Sequence, residues 1–170
     1  KAGVDPNART SEFGDTALML AARSGRIDAV KALLDHGANP NTQETWGGTT
    51  ALMWAASERH PDVVALLLAK GANPNVRTKI VPAAQRRGDG NMKSFVPRDP
   101  KPGEKMESLV DGTDLNIVVP SGGLTPLMFA ARENDMDSVK SIVAAGADLN
   151  AAAGDLSTAL TLSIQNGNYD

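Results

Sequence analysis

Apolar residues recur at helical spacing in three segments of the chain, with polar residues between them. Spacings of three and four residues place each apolar set on one face of a helix. A glycine follows each set, at the point where a left-handed residue closes the last helical turn. The sets are Ile27, Val30, Leu33 and Leu34, then Val63, Val64, Leu67 and Leu68, then Met136, Val139, Ile142 and Val143, and the glycines are Gly37, Gly71 and Gly146. The pattern predicts three helices with buried apolar faces.

Four threonines begin shorter apolar runs, and three of these runs precede the helices just described. A threonine side-chain oxygen can accept hydrogen bonds from the free N–H groups at a helix start. Pro126 follows one threonine, in the first helical position, where the missing N–H costs nothing. The threonines are Thr16, Thr50, Thr125 and Thr158, and small alanine pairs follow the first three at Ala21-Ala22, Ala55-Ala56 and Ala130-Ala131. Each threonine run with its following apolar set predicts two antiparallel helices.

These helix pairs are copies of one repeated unit. Residues 14–41 align with residues 48–75 without a gap, at an offset of 34, and residues 123–150 follow the second copy at an offset of 75. A fourth copy begins near residue 156, and residues 1–7 match the tail of an earlier copy. Such internal repetition predicts a stacked array in which each unit contacts its neighbours.

The repeat predicts one domain over residues 1–170, cut from a longer array. Both ends fall inside a unit, so Leu160, Leu162 and Ile164 are expected to lack a covering helix and to favour end-to-end self-association. The predicted division is 1–13 for the end of a preceding repeat, 14–47 and 48–78 for two repeats, 79–121 for an insert, 122–153 for a third repeat and 154–170 for a partial repeat.

The motif of glycine, Thr-Ala/Pro-Leu, two alanines, an aliphatic helix and Gly-Ala-Asn/Asp resembles the ankyrin repeat. The resemblance implies an all-α solenoid of stacked helix-turn-helix units with projecting turns, which acts by binding other macromolecules. Histidine usually follows Thr-Pro-Leu in that family, whereas this chain has Met19, Met53, Met128 and Thr161. The family's side-chain hydrogen bond is therefore expected to be lost. "TALMLAA" and "TALMWAA" also look like repeats of exported bacterial proteins, which favours a periplasmic or extracellular location.

The insert interrupts one projecting turn between the second and third helix pairs. Residues 79–105 are rich in proline, glycine and charge, which predicts a loosely packed excursion, while residues 108–120 favour a small β-hairpin around Asp111-Gly112. The insert either adds a contact to a partner or is a neutral insertion, since loop-closure cost grows slowly with length. The Arg87-Gly88-Asp89 tripeptide resembles cell-adhesion loops, but so short a match arises readily by chance.

Composition narrows the classes of function. The 170 residues carry a net charge of −3, which argues against a nucleic-acid partner, and contain no cysteine, which excludes thiolate chemistry. No apolar run approaches the length of a membrane span. His36 and His60 have no neighbouring nucleophile or second ligand in sequence, so the chain is predicted to be no enzyme and to hold no metal or cofactor.

The resemblance implies a binding surface on the concave side, built from projecting turns and the first helices. Phe13 and Trp46 are large aromatic residues in predicted turns and are favoured as anchors for a protein partner, although each could instead pack over the next turn. Trp54 is assigned to packing between helices. The family's contact positions map onto Glu12, Phe13, Asp15, Arg23, Ser24, Trp46, Thr49, Ser57, Glu58, Leu124, Arg132 and Glu133.

Two functions remain open from the sequence. The first is a protein-interaction module that holds a partner on the concave face, with the insert as an extra contact. The second is a structural spacer or self-assembling segment without a separate ligand. The sequence does not identify the partner.

Overall fold

The computed structural model describes residues 5–81 and 120–168 of the chain. Within these two segments it contains seven α-helices and no strand. The helices are α1 (Ala17–Arg23), α2 (Ile27–Asp35), α3 (Ala51–Ser57), α4 (Pro61–Ala69), α5 (Pro126–Arg132), α6 (Met136–Ala144) and α7 (Ala159–Gln165). The predicted hairpin around Asp111-Gly112 and the tripeptide at residues 87–89 lie outside the described residues.

A threonine caps each short first helix, as the sequence predicts. The Thr16 hydroxyl accepts a hydrogen bond from the Met19 amide at 3.4 Å, and the same bond forms at the start of α3, α5 and α7. The four threonines adopt extended backbone angles while the next residues turn helical. This cap satisfies an amide that would otherwise lack a partner inside the helix.

The expected loss of a side-chain hydrogen bond at Met19, Met53, Met128 and Thr161 is wrong at three of these four positions, Met53 being the exception. The Thr16 amide donates to the Met19 sulfur at 3.4 Å, and the Thr125 amide donates to the Met128 sulfur at the same distance. The Thr158 amide donates to the hydroxyl of Thr161 at 2.7 Å. Sulfur is a weak acceptor. Met19 and Met128 therefore complete the cap weakly while their side chains fill buried space.

The second helices end at glycines in the left-handed region, as predicted. Gly37 has φ +90°, and its amide donates to Leu34 O at 3.1 Å while the Ala38 amide donates to Leu33 O at 2.9 Å. This pair of bonds is the Schellman motif. A Cβ at Gly37 would meet nothing within 4 Å, so the backbone angle alone favours glycine there.

The core lies between the two layers of helices. First helices stack in the order α1, α3, α5, α7, and second helices stack in the order α2, α4, α6. Alanines such as Ala22, Ala55 and Ala56 are fully buried and let the first helices approach closely, while Val64 and Leu67 fill the space beneath them. Because α3 packs directly on α5, the second and third units are neighbours across the 79–121 segment.

Asparagines form a ladder of hydrogen bonds between units. The Asn41 side chain donates to Gly71 O at 3.0 Å and accepts from the Asn73 amide at 2.7 Å. Asn75 makes the same pair of bonds to Gly146 O and the Asp148 amide, at 3.0 and 2.8 Å. The ladder thus has the same geometry across the insert as between the first two units.

The described ends of the insert meet at the base of one projecting turn. Val81 and Ser121 form an antiparallel bridge, with amide-to-carbonyl distances of 2.8 and 3.1 Å. Just below it, the Thr78 amide donates to Leu124 O at 3.0 Å. The equivalent bond from the Glu44 amide to Thr49 O closes the preceding turn, also at 3.0 Å. The chain therefore leaves and re-enters the stack at adjacent points.

Candidate partner-binding face

Backbone hydrogen bonds hold successive projecting turns side by side. The Thr45 amide donates to Phe13 O and the Lys79 amide donates to Gly47 O, both at 2.7 Å. Each bond joins one turn to the next, much as in neighbouring strands. The turns are therefore joined into a continuous edge along the stack.

Glu44 organises the turn that carries Trp46. Its carboxylate is buried and accepts hydrogen bonds from the amides of Trp46, Gly47 and Thr49 at 2.5 to 3.0 Å, and from the Thr49 hydroxyl at 2.9 Å. Burial raises the pKa of the Glu44 carboxyl, but the bonds from Thr49, Trp46 and Gly47 outweigh it and hold the pKa below its ordinary value. Glu44 is therefore ionised at neutral pH.

The ordered turn presents Trp46 to solvent. Its side chain is 80% exposed, and Phe13 on the preceding turn is 52% exposed. Little of the Trp46 side chain is therefore buried against the rest of the protein. The two rings border a cavity of about 370 Å³, lined by Phe13, Asp15, Glu44, Trp46, Thr49 and Trp54. Four of the predicted contact residues, Phe13, Asp15, Trp46 and Thr49, thus lie around one cavity.

Arg23 and Glu58 lie at the ends of α1 and α3. The Arg23 guanidinium carbon sits 4.7 Å from the centre of the Trp54 ring, and its Nε is 3.7 Å from a Glu58 carboxylate oxygen. Both charged side chains are largely exposed. Trp54, which the sequence assigned only to packing, contacts the core and also lines the cavity. The nearby hydroxyls of Ser24 and Ser57 bond to carbonyls of their own helices.

The predicted residues of the third unit form a separate group. Arg132 Nε bonds to Glu133 Oε1 at 2.9 Å, and its guanidinium carbon lies 5.1 Å from the centre of the Phe129 ring. Leu124 packs against the small core cluster that includes Met128. None of these residues lines the cavity near Trp46. The structure therefore divides the predicted contact positions between two places on the stack.

Comparison with known protein families agrees with this architecture. A family model described as ankyrin repeats in three copies matches residues 2–78, and a model of the ankyrin repeat matches residues 122–153. The chain belongs to the ankyrin repeat family. Ankyrin repeats generally act as protein–protein interaction modules and are typically non-enzymatic. No curated protein matches the chain.

The two histidines and the acidic residues of the described segments are not arranged as a metal site. Across residues 5–81 and 120–168, no group of three or more acidic or histidine residues is placed to hold a metal ion. His60 is half-buried, with Nε2 3.2 Å from Arg23 O, and His36 Nδ1 lies 2.7 Å from Ala32 O. In the same part of the chain, no helix has the length and apolar character needed to cross a bilayer. Both histidines thus contact the ankyrin backbone.

Sequence reasoning missed Glu44. Its position before Gly47-Gly48 could have indicated this role. A turn with two glycines has exposed N–H groups, and a nearby carboxylate can accept hydrogen bonds from them. The contribution of Trp54 to the cavity could not be predicted in this way. It depends on how close the α3 ring comes to the turn above it.

Proposed function

We propose that this ankyrin stack is a protein-binding module whose partner contacts the projecting turns and the exposed ends of the first helices. The observation that carries the proposal is the pairing of exposed Phe13 and Trp46 at one cavity. Solvent-facing aromatic rings lose unfavourable contact with water when a partner covers them, and they are frequent anchors at interfaces. Arg23, Glu58, Arg132 and Glu133 would contribute the polar surroundings.

The turns are suited to this role because their backbone is fixed before a partner arrives. Bonds from Glu44 shape the Trp46 turn, and the Thr45 amide ties it to Phe13 O. An anchor held by a rigid scaffold loses less conformational entropy on binding. The aromatic pair is thus pre-positioned, and the 79–121 segment would add a further contact from the next turn.

The test is a double substitution, Phe13→Ala with Trp46→Ala, in the full chain. Binding partners are first selected from a displayed random-peptide library, and their affinity is then measured by titration calorimetry. We expect the double variant to lose at least about 2 kcal/mol of binding free energy, since two anchors are removed. Both side chains are exposed, so the helical circular dichroism signal should be unchanged.

Ile27 and Met136 provide a control on the second helices. Both are exposed apolar residues that do not line the cavity, so Ile27→Ala with Met136→Ala removes exposed apolar surface away from the proposed binding face. Affinity should survive in this control. Equal affinity of the Phe13/Trp46 double variant and the unmodified chain would refute the proposed site.

A structural spacer or self-assembling segment is the second candidate function. It is favoured by an apolar surface at the α6–α7 end, where a cavity of about 660 Å³ is lined in part by the exposed residues Met136, Val143, Leu160 and Ile164. A spacer would retain no specific peptide in the selection above, with or without the insert. Comparison of intact and insert-deleted chains therefore separates the two functions.

A further inference from the structure

We propose that the cavity between Phe13 and Trp46 receives a basic side chain, arginine or lysine, from the protein partner. This inference rests on the proposed protein-binding function and specifies the chemistry of its central contact. Its basis is the charge and the ring content of the cavity lining.

The lining combines aromatic walls with carboxylates and contains no cation. Of its six residues, Phe13, Trp46 and Trp54 supply rings, Asp15 and Glu44 supply carboxylates, and Thr49 supplies a hydroxyl. A long basic side chain has an apolar stem, which can pack against the rings, and a charged tip, which can pair with a carboxylate of the lining. An acidic side chain would meet like charge, and a purely apolar side chain would leave the carboxylates without a counterion.

The two carboxylates differ in their remaining capacity to accept hydrogen bonds. Glu44 is ionised but its oxygens are occupied by donors from its own turn. Asp15 is half-buried, and among the described residues its carboxylate accepts one hydrogen bond, from the Ser11 hydroxyl to Oδ2 at 2.9 Å. Glu44 therefore adds negative potential, while Asp15 has acceptor capacity left for an incoming cation.

Cations among the described residues lie near this site, and each already has a partner within the chain. Arg9 Nη1 donates to Gly14 O at 3.0 Å, and Lys79 Nζ donates to Thr45 O. Neither side chain lines the cavity. Both positive groups are bonded to carbonyl oxygens of the turns. Arg23 lies over the Trp54 ring and 3.7 Å from a Glu58 carboxylate oxygen, and it does not line the cavity either. The carboxylates of Asp15 and Glu44 are therefore the ionisable groups among the lining residues.

The same face already shows the pairing of a cation with an aromatic ring twice. The Arg23 guanidinium carbon lies 4.7 Å from the centre of the Trp54 ring, and that of Arg132 lies 5.1 Å from the centre of the Phe129 ring. Both distances are within the range at which a ring attracts a cation. Trp46 also lines the cavity and is 80% exposed. Among the described residues, no cation lies over its ring.

The experiment begins with the displayed random-peptide selection on the full chain. Selected peptides are resynthesised with each basic residue replaced in turn by glutamine and by norleucine, and their affinity is measured by calorimetry at low and moderate salt. We expect one basic position whose replacement weakens binding about tenfold, as loss of a cation–ring and carboxylate contact predicts.

Two matched protein variants assign that position to the cavity. Asp15→Asn should weaken binding of the basic peptide several-fold and reduce its salt dependence, because it removes the available charge. It should leave the affinity of the glutamine-substituted peptide unchanged. Asp28→Asn on α2 removes an equal charge from an exposed site elsewhere and should have no effect.

The outcomes separate this inference from the proposed function. Peptides that require Phe13 and Trp46 but tolerate norleucine at every basic position would overturn the basic-side-chain inference and leave the binding function standing. Peptides whose affinity is independent of both rings would overturn the inference and the proposed site together. A basic position that depends on Asp15, Phe13 and Trp46 supports both.

Discussion

At the scale of single residues, the buried carboxylate of Glu44 accepts hydrogen bonds from backbone N–H groups of its own turn. Four donors from Trp46, Gly47 and Thr49 converge on it, and the turn ahead of the exposed ring depends on them. Asparagine side chains bind backbone groups between units in the same way. The Asn41 side chain donates to a carbonyl of the next repeat, Gly71 O, and accepts from an amide of that repeat, Asn73 N. Each residue stabilises the stack through polar groups that regular helices leave unpaired.

Replacing Glu44 by glutamine should destabilise the protein in a pH-dependent way. Glutamine has an NH₂ group facing several N–H donors, so we expect a loss of about 2 kcal/mol in the free energy of unfolding at pH 7. The pKa of Glu44 is lowered by folding, so its stabilisation is complete above the ordinary glutamate value of about 4.3 and is lost as the pH falls through the folded pKa. Urea denaturation at several pH values measures both.

The difference in unfolding free energy between the unmodified chain and Glu44→Gln should therefore shrink as the pH falls below the ordinary glutamate pKa. Other carboxyl groups titrate in both proteins and cancel in the comparison. Asp35, whose pKa is lowered by the hydrogen bond and charge of Lys70, is one of these. A difference that stays constant with pH would contradict the role of the Glu44 charge.

Asn41 provides a second residue-scale prediction. Asn41→Ala removes the bonds to Gly71 O and from the Asn73 amide, and should cost about 1–2 kcal/mol of unfolding free energy. Asn150 is the equivalent residue of the third unit, and its side chain has no such inter-unit bond within the described residues. Asn150→Ala is thus the matched control, with an expected change below about 0.5 kcal/mol. Equal losses in chemical denaturation would show that the ladder contributes nothing specific.

At the scale of elements, stability comes from helix pairs packed on neighbours, with the projecting turn as a replaceable connection. The α3–α5 contact and the Asn75 ladder bonds join the second and third units directly. The Val81–Ser121 bridge closes the base of the interrupted turn. All of these contacts are made by residues outside the 82–119 segment.

Replacement of the insert should therefore preserve the fold. We expect a chain with residues 79–121 exchanged for a turn of ordinary repeat length to remain helical and to unfold cooperatively. A sharper variant joins Val81 to Ser121 through Asn-Gly, because that bridge has the paired bonds of a two-residue hairpin. Shortening the loop should raise the free energy of unfolding by about 1–2 kcal/mol. An unfolded product, judged by circular dichroism, would show that the insert belongs to the core.

At the scale of the whole molecule, the stack is covered unevenly. The inner helices bury their apolar side chains on both sides, whereas Met136, Val143, Leu160 and Ile164 are exposed around the α6–α7 cavity. In a repeat array each unit gains much of its stability from the interface with the next. We therefore expect this exposed apolar surface to favour association with another molecule.

One complete repeat added after Asp170 should cover this surface. We expect the midpoint of thermal unfolding to rise by roughly 5 °C, as a gain of one to two kcal/mol implies for a protein of this size, and self-association to decrease. Differential scanning calorimetry and sedimentation velocity measure the two effects. Leu160→Lys with Ile164→Lys should also reduce self-association without adding a repeat. A protein that is strictly monomeric before and after the addition would refute the argument.

The sequence was sufficient to predict the repeat, the helix pairs, the threonine caps and the left-handed glycines. Each follows from local rules: apolar residues at helical spacing, one hydroxyl beside free amides, and the φ freedom of Gly37 and its equivalents. The unit boundaries, the longer array and the bacterial origin stay predictions. The position of Phe13 and Trp46 in adjacent turns was also readable, because both turns follow from the same repeat.

Only the tertiary structure decided how these pieces meet. The resemblance to the ankyrin repeat predicts that the side-chain hydrogen bond at Met19 is lost. In the structure the Met19 sulfur accepts a hydrogen bond, because the folded side chain reaches the Thr16 amide. Glu44 and Trp54 join Phe13 and Trp46 at one cavity because inter-turn hydrogen bonds set the spacing of the turns. Local preferences act over a few residues and fix each element, whereas the cavity depends on distances between residues more than 30 positions apart.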